Sequence, residues 1–161
     1  MINHPIQPIY NKDSRVLILG SFPSVRSREV VFFYGHPQNR FWSLIAALCQ
    51  ESLPTSIEDK TELLLRHGIA LWDVAAACEI KGSADSTLTK VVANDLTPIL
   101  DGSSISQIFL NGSTADKYYR RLIQPRIQRT AIGLPSTSPA NATWSFERLL
   151  DAWRVIQPYI T

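Results

Sequence analysis

The strongest constraint on the fold is a set of four short segments rich in apolar residues, each of which ends at a glycine or directly before a polar residue or a proline. A short continuous apolar run is typical of a strand that is covered on both faces, as in a parallel sheet. The four runs are Arg15–Gly20, Ile69–Trp72, Ile105–Leu110 and Arg129–Leu134. They predict four buried strands.

The segments between these runs carry helix signals. Asn39 is a candidate N-cap for an apolar helix over residues 40–48. Ser56 opens a second helix that is expected to reach His67 and to stop at Gly68. Further helices are predicted over residues 74–78, 94–100, 114–122 (capped by Ser113) and 144–156, and loops are predicted over residues 81–87 and 135–141.

Strands that alternate with helices predict an α/β fold, a three-layer αβα sandwich around a central, mainly parallel four-stranded sheet. A length of 161 residues without a repeat or a linker suggests a single domain over residues 1–161. In such folds, ligands bind beyond the carboxyl ends of the strands. Here those ends are Gly20, Trp72-Asp73, Asn111-Gly112 and Leu134-Pro135.

Charge is distributed unevenly along the chain. The net charge is +2 overall, with +3 in residues 1–50, −5 in residues 51–112 and +4 in residues 113–161. If the two ends of the chain meet on one face, that face is basic and can attract phosphates. The alternative is charge scattered over the solvated surface.

Cysteine content and the N-terminus suggest a cellular compartment. Cys49 and Cys78 lie in apolar surroundings, which is typical of buried free thiols in a reducing compartment. The N-terminal residues show no secretory signal, and no apolar run is long enough to span a membrane. We therefore expect a cytoplasmic protein, nucleoid-associated in a prokaryote, that has no membrane partner and works as a monomer.

Several enzyme classes lack their sequence signatures. The first strand is followed by Ser-Phe-Pro-Ser rather than by a glycine-rich nucleotide loop. The histidines His4, His36 and His67 are far apart and have no cysteine or carboxylate spacing typical of a zinc site, so no metal is expected. No Gly-x-Ser-x-Gly sequence is present to supply a serine nucleophile.

Three segments at the predicted strand ends carry a distinctive pattern. They are Gly20-Ser21-Phe22-Pro23-Ser24, then Tyr34–Trp42 with the sequence Tyr-Gly-His-Pro-Gln-Asn-Arg-Phe-Trp, and then Leu134–Asn141. In this order, the three segments resemble the motifs of the uracil-DNA glycosylase superfamily. The first motif is most similar to that of family 6, the hypoxanthine-DNA (deoxyinosine) glycosylases, and the second is similar to that of the mismatch-specific uracil/thymine glycosylases. The resemblance extends over residues 15–157.

The resemblance implies a monofunctional DNA glycosylase that hydrolyses the N-glycosidic bond of a deaminated base in DNA. Such an enzyme flips the nucleotide out of the base stack and into a pocket. Hydrogen-bond donors stabilise the departing base, and a positioned water attacks the sugar. Neither a metal nor an organic cofactor is implied, and the partner is damaged DNA, either duplex or single-stranded.

The resemblance also assigns roles to individual residues. In most of the superfamily the third residue of the first motif is Asn or Asp and handles the attacking water, but here it is Phe22, which can only pack or stack. In the family 6 branch the catalytic amide belongs to the position of Asn39. The base pocket is predicted to comprise Gly20, Ser21, Phe22, Pro23, His36 and Asn111. The residues predicted to contact DNA are Ser24, Arg40, Pro135, Ser136, Thr137, Ser138, Pro139 and Asn141.

Hypoxanthine is favoured as the excised base because Phe22 replaces the usual water-handling residue. The first alternative is a uracil or mismatch-specific glycosylase in which Asn39 compensates for that replacement. The second is a DNA-lesion-binding protein without catalysis, and a more remote one is a hydrolase of free nucleosides. For several residues a structural role competes with the functional one: Asn39 as a helix cap, Asn111 as a turn residue, Arg40 in a surface salt bridge, and Phe41 and Trp42 in the core.

Overall fold

The four predicted strands form one parallel sheet in the computed structural model, which describes residues 1–160. The strands of the chain are β1 (Ile2–Asn3), β2 (Val16–Gly20), β3 (Ile69–Asp73), β4 (Ala75–Glu79), β5 (Thr89–Ala93), β6 (Gln107–Asn111) and β7 (Ala131–Leu134). The parallel sheet has the order β3-β2-β6-β7, with every neighbouring pair parallel. Its carboxyl ends therefore lie at one edge, as expected.

Helices cover both faces of this sheet, so the predicted three-layer fold class is confirmed. The helices are α1 (Val25–Val30), α2 (Phe41–Leu48), α3 (Ile57–Arg66), α4 (Thr97–Asp101), α5 (Ser113–Tyr118), α6 (Gln124–Ile127) and α7 (Phe146–Trp153). One core contains Ile18 with residues of α2, α3 and α7, and the other contains Leu17 with residues of α4 and α5. Successive residues of β2 thus point into opposite layers.

A second, antiparallel sheet was not expected. It has the order β1-β4-β5 and joins the N-terminus to the middle of the chain, with Ile2 opposite Cys78. The predicted helix over residues 74–78 is therefore wrong. Its alanines favour a helix in isolation, but here Ala75–Glu79 lies between two strands, and pairing on both sides overrides that local preference.

Several helix boundaries differ from the predicted ones. Helix α2 begins one residue late, with Arg40 rather than Asn39 at the N-cap position, although Asn39 Oδ1 still accepts a hydrogen bond from the Phe41 amide at 2.9 Å. Gly112, at φ +97°, precedes α5 in place of Ser113. After α5 the chain continues through a π-helical turn at Tyr119–Ile123 into α6, and α7 continues as a 3₁₀ helix, Arg154–Tyr159.

The predicted helix cap at Ser56 is confirmed, since its hydroxyl accepts from the Asp59 amide at 3.0 Å. Phe41 and Trp42 lie in the core, at 0% and 5% exposure, as expected. Both cysteines are buried and free. Burial, reinforced by the charge of Glu51, raises the pKa of the Cys49 thiol to about 11. Within residues 1–160, no helix is both long and apolar enough to cross a membrane.

Candidate active site

A cavity of about 900 Å³ opens at the carboxyl ends of β2, β3, β6 and β7. All three sequence segments that were singled out contribute to its walls. Every residue predicted for the site lines this cavity except Arg40, which lies directly after the lining residue Asn39. The parallel sheet brings them together, because residues that follow neighbouring parallel strands meet at the same edge.

Asn39 enters the cavity from the turn before α2. The Asn39 backbone amide donates to the His36 carbonyl at 3.0 Å, and the side-chain oxygen Oδ1 accepts a hydrogen bond from the Phe41 backbone amide. Within residues 1–160, no acceptor forms a hydrogen bond with Asn39 Nδ2. The residue is half-buried, so its carboxamide nitrogen remains available to donate to a ligand.

Arg40 is held by hydrogen bonds to the segment that follows β7. Its backbone amide donates to the Thr137 carbonyl at 3.1 Å. Its guanidinium donates to the carbonyl of Asn141 at 3.1 Å and also to that of Trp144. Arg148 lies 4.0 Å from the ring centre of Trp144. Two cations therefore sit beside the loop that closes the cavity.

The side chain of Asn111 holds the loop that follows β7, a role that goes beyond that of a turn residue. Its oxygen accepts from the Thr137 amide at 3.0 Å, and its nitrogen donates to the hydroxyls of Thr137 at 3.0 Å and Tyr34 at 3.1 Å. Asn111 is 8% exposed and Thr137 is fully buried. The amide thus fastens the loop after β7 to the wall that carries Tyr34.

The first motif forms a wall of the cavity. Phe22 is 7% exposed and packs against Ala75, Cys78 and Leu88, so its ring belongs to a small core cluster. The Ser24 hydroxyl accepts from the Ser27 amide at 3.1 Å and caps α1.

The hydroxyl of Ser21 donates to the carboxylate of Asp85 at 2.9 Å. Asp85 belongs to the exposed loop between β4 and β5, but its carboxyl group faces the cavity. Desolvation there raises the pKa of Asp85; the charge of Asp73 adds to this rise, whereas the hydrogen bond from Ser21 opposes it.

Asp73 and His4 were not predicted as site residues. Asp73 ends β3 at the cavity, and its Oδ2 is 2.7 Å from His4 Nε2, with both side chains at most 5% exposed. The polar residue at a strand end was a usable signal for Asp73, whereas nothing in the sequence connects His4, 69 positions away, with the site.

Gly20 leaves space for the Asp73 carboxylate. A Cβ on Gly20 would overlap Asp73 Oδ1 and lie 2.8 Å from the hydroxyl oxygen of Tyr34. Tyr34 itself stacks on Phe41, with 4.2 Å between ring centres. Its burial, together with the nearby charge of Asp73, strongly raises the pKa of the Tyr34 hydroxyl, so that hydroxyl keeps its proton at neutral pH.

Comparison with known proteins agrees with this architecture. The family model of the uracil DNA glycosylase superfamily matches residues 7–157. The chain belongs to this superfamily. The resemblance drawn from the three motifs is therefore confirmed.

Curated members of the superfamily are similar along most of the chain. A hypoxanthine DNA glycosylase of Methanosarcina acetivorans is 33% identical over 150 residues, which are 92% of this chain and 94% of that one. A hypoxanthine DNA glycosylase of Methanosarcina barkeri is 30% identical over 113 residues, 69% of this chain and 72% of that one.

A solved structure shares the fold. The solution NMR structure of a candidate uracil DNA glycosylase from Methanosarcina acetivorans superposes with a TM-score of 0.80 at 29% identity, covering 98% of this chain and 99% of that one. The superfamily, the fold and both curated relatives agree on one enzyme class, and this chain is a DNA glycosylase.

Proposed function

We propose that the protein excises hypoxanthine from DNA by hydrolysing the N-glycosidic bond of a flipped deoxyinosine, which leaves an abasic site. The observation that carries this proposal is the cavity at the strand ends, where the three motifs meet around the available carboxamide of Asn39. The names of the two curated relatives support hypoxanthine as the base.

Asn39 is the catalytic residue in this proposal. One lone pair of its Oδ1 accepts from the Phe41 amide, and the other can accept a hydrogen bond from a water molecule. Its Nδ2 can at the same time donate to the base or to the sugar. A neutral amide abstracts protons poorly. Its contribution is therefore the orientation of water and the stabilisation of charge on the departing base.

The segments around the cavity supply the DNA contacts. The loop over residues 135–141 is held by several hydrogen bonds, and its Ser136 and Ser138 line the cavity, where their hydroxyls can contact phosphates. Arg148, near this loop, adds positive charge that favours the DNA backbone. In this proposal the protein acts as a monomer on damaged DNA, in the cytoplasm or at the nucleoid and without a membrane partner.

The test replaces Asn39 and uses a matched control. Asn39→Ala is expected to lower single-turnover excision from an inosine-containing duplex by about 10²-fold or more, while duplex binding is retained. Excision is measured as strand cleavage at the abasic site after alkali. Parallel uracil and xanthine duplexes distinguish a uracil or mismatch-specific enzyme from a hypoxanthine enzyme.

Asn11→Ala is the control, because Asn11 Oδ1 accepts from the amide two residues later, that of Asp13, also at 2.9 Å. Both variants thus lose the same kind of local hydrogen bond, but Asn11 is not among the residues that line the cavity. Unchanged activity in Asn39→Ala would refute the catalytic assignment. Lesion binding by the wild type without excision of any of these bases would indicate a non-catalytic binder.

A further inference from the structure

Two polar groups that line the cavity lie next to Gly20. They are the Asp73 carboxylate and the Tyr34 hydroxyl, and they lie side by side next to Gly20, since a Cβ on Gly20 would touch both. Within residues 1–160, no hydrogen bond joins the two directly. A ligand group that reaches Gly20 would therefore meet both of them together.

Asp73 presents a hydrogen-bond acceptor at this point. His4 Nδ1 accepts from the Ile6 amide at 3.2 Å, so the ring proton is on Nε2, which donates to Asp73 Oδ2 at 2.7 Å. This hydrogen bond fixes the carboxylate. The other oxygen, Oδ1, is the one that faces Gly20.

Tyr34 presents a hydrogen-bond donor beside it. The Tyr34 oxygen already accepts from Asn111 Nδ2 at 3.1 Å, and stacking on Phe41 fixes the ring. Within residues 1–160 the hydroxyl proton has no acceptor. The hydroxyl can therefore donate to a ligand in the cavity while Asn111 holds it in place.

A donor beside an acceptor complements a lactam, in which a carbonyl stands next to a ring N–H. Hydrolytic deamination of a purine or pyrimidine amino group produces this edge: the ring nitrogen changes from acceptor to N–H donor, and the amino group is replaced by a carbonyl. Adenine has the opposite arrangement, and its ring nitrogen would face the lone pairs of Asp73.

We propose that Tyr34 and Asp73 recognise the lactam edge of the flipped base, with the Tyr34 hydroxyl donating to the carbonyl and Asp73 Oδ1 accepting from the ring N–H. This inference rests on the proposed glycosylase function and makes deaminated bases the substrate class. His4 and Asn111 are positioning residues, because each acts through the group that it holds. Base recognition thereby moves from Asn111, where the sequence placed it, to the pair that surrounds Gly20.

The test compares bases that differ only at this edge. Duplexes carry deoxyinosine, deoxyadenosine or deoxynebularine, whose purine base is smaller than hypoxanthine and lacks both the carbonyl and the ring N–H. The wild type is expected to excise hypoxanthine at least 10²-fold faster than purine in single-turnover assays, because a site built for hydrogen bonding strongly discriminates against a base that cannot form the bonds. Adenine is expected to be excised no faster than purine.

Asp73→Asn and Tyr34→Phe should lower the rate on hypoxanthine towards the rate on purine, by about 10²-fold and about 10-fold respectively, and change the purine rate less than about threefold. A purely structural defect would lower both rates together. Asp151→Asn and Tyr10→Phe are the matched controls, since Asp151 is 80% exposed and Tyr10 is partly buried against the core on the α4 and α5 side.

The outcomes separate the two proposals. A wild type that excises no deaminated base refutes the proposed function itself. A wild type that excises hypoxanthine but does not discriminate against purine refutes only the lactam recognition, and this comparison does not depend on the folding of any variant. Variants that remain folded and keep the full wild-type preference for hypoxanthine over purine also refute it.

Discussion

At the residue scale, the site depends on the absence of one side chain. Gly20 ends β2, and the groups nearest to its missing Cβ are the Asp73 carboxylate and the Tyr34 hydroxyl. Both are held by their own partners, so neither can move away without losing a hydrogen bond. Gly20 is thus required for space rather than for an unusual backbone conformation.

Gly20→Ala is expected to lower the free energy of unfolding by about 1–3 kcal/mol, because an added methyl group overlaps atoms that are held in place. We also expect excision to fall at least about tenfold, since the same overlap displaces Asp73 and Tyr34. Urea denaturation and the single-turnover alkali assay measure the two effects.

Gly82→Ala serves as the comparison. Nothing lies within 4 Å of a Cβ at Gly82, but its φ of +62° makes alanine costly there, by about 1–2 kcal/mol. This variant should therefore lose stability and keep its activity. If Gly20→Ala also lost stability but kept its activity, the added methyl group would not be displacing Asp73 and Tyr34.

At the element scale, the loop over residues 135–141 is held from three directions. Asn111 binds both the backbone and the hydroxyl of Thr137, Trp153 Nε1 donates to the Pro135 carbonyl at 2.9 Å, and the Arg40 guanidinium binds the Asn141 carbonyl. Strand β6, helix α7 and the turn before α2 thus cooperate to shape one loop. Such rigidity suits a segment that must meet DNA in a defined position.

Asn111→Ala is expected to leave the buried Thr137 amide without its acceptor, which costs about 1–3 kcal/mol. The loop over residues 135–141 should then exchange its amide hydrogens faster, and the affinity for DNA should fall. Hydrogen exchange followed by mass spectrometry, together with duplex titration, measures both effects.

Asn94→Ala is the matched control for this loop. Asn94 is equally buried at 8% exposure and donates from Nδ2 to the Asp73 carbonyl at 2.9 Å, away from the loop. It should lower stability without faster exchange in residues 135–141. Equal exchange in that loop for Asn111→Ala and wild type would show that the other two attachments suffice.

At the scale of the whole molecule, the N-terminal residues complete a site that lies elsewhere in the chain. Strand β1 pairs with β4, the His4 amide donates to the Ala76 carbonyl at 2.8 Å, and the His4 ring holds Asp73. The antiparallel sheet therefore connects the first residues to the carboxyl end of β3. His4 therefore contacts both this sheet, through its backbone, and the site, through its ring.

His4→Ala is expected to reduce excision of hypoxanthine at least about tenfold, because the buried Asp73 carboxylate loses a hydrogen bond worth about 1.5–3 kcal/mol. Deletion of Ile2 and Asn3 removes β1 but keeps His4, so it should lower the melting temperature and preserve most of the activity. Single-turnover assays and thermal unfolding measure the two effects. Wild-type rates in His4→Ala would show that Asp73 does not need this partner.

Local sequence determined the layout of the parallel sheet. The four runs predicted its strands to within two residues at each end, because strands that are covered on both faces are rich in apolar residues. The strand ends then placed the first and third motifs at one edge, which is where the cavity lies. The family resemblance and the choice of Asn39 follow from this level alone.

Only the tertiary structure decided the antiparallel sheet and the floor of the cavity. Strand β4 has a helix-favouring composition, and β1, one of its two pairing partners, is more than 70 positions away, so the composition of the segment itself did not predict a strand. In the same way, the proximity of Tyr34, Asp73 and Gly20 depends on three separate segments. Local sequence patterns indicate which face of a helix or strand is buried. Contacts between side chains that are distant in the sequence form only when the packed sheet brings them together.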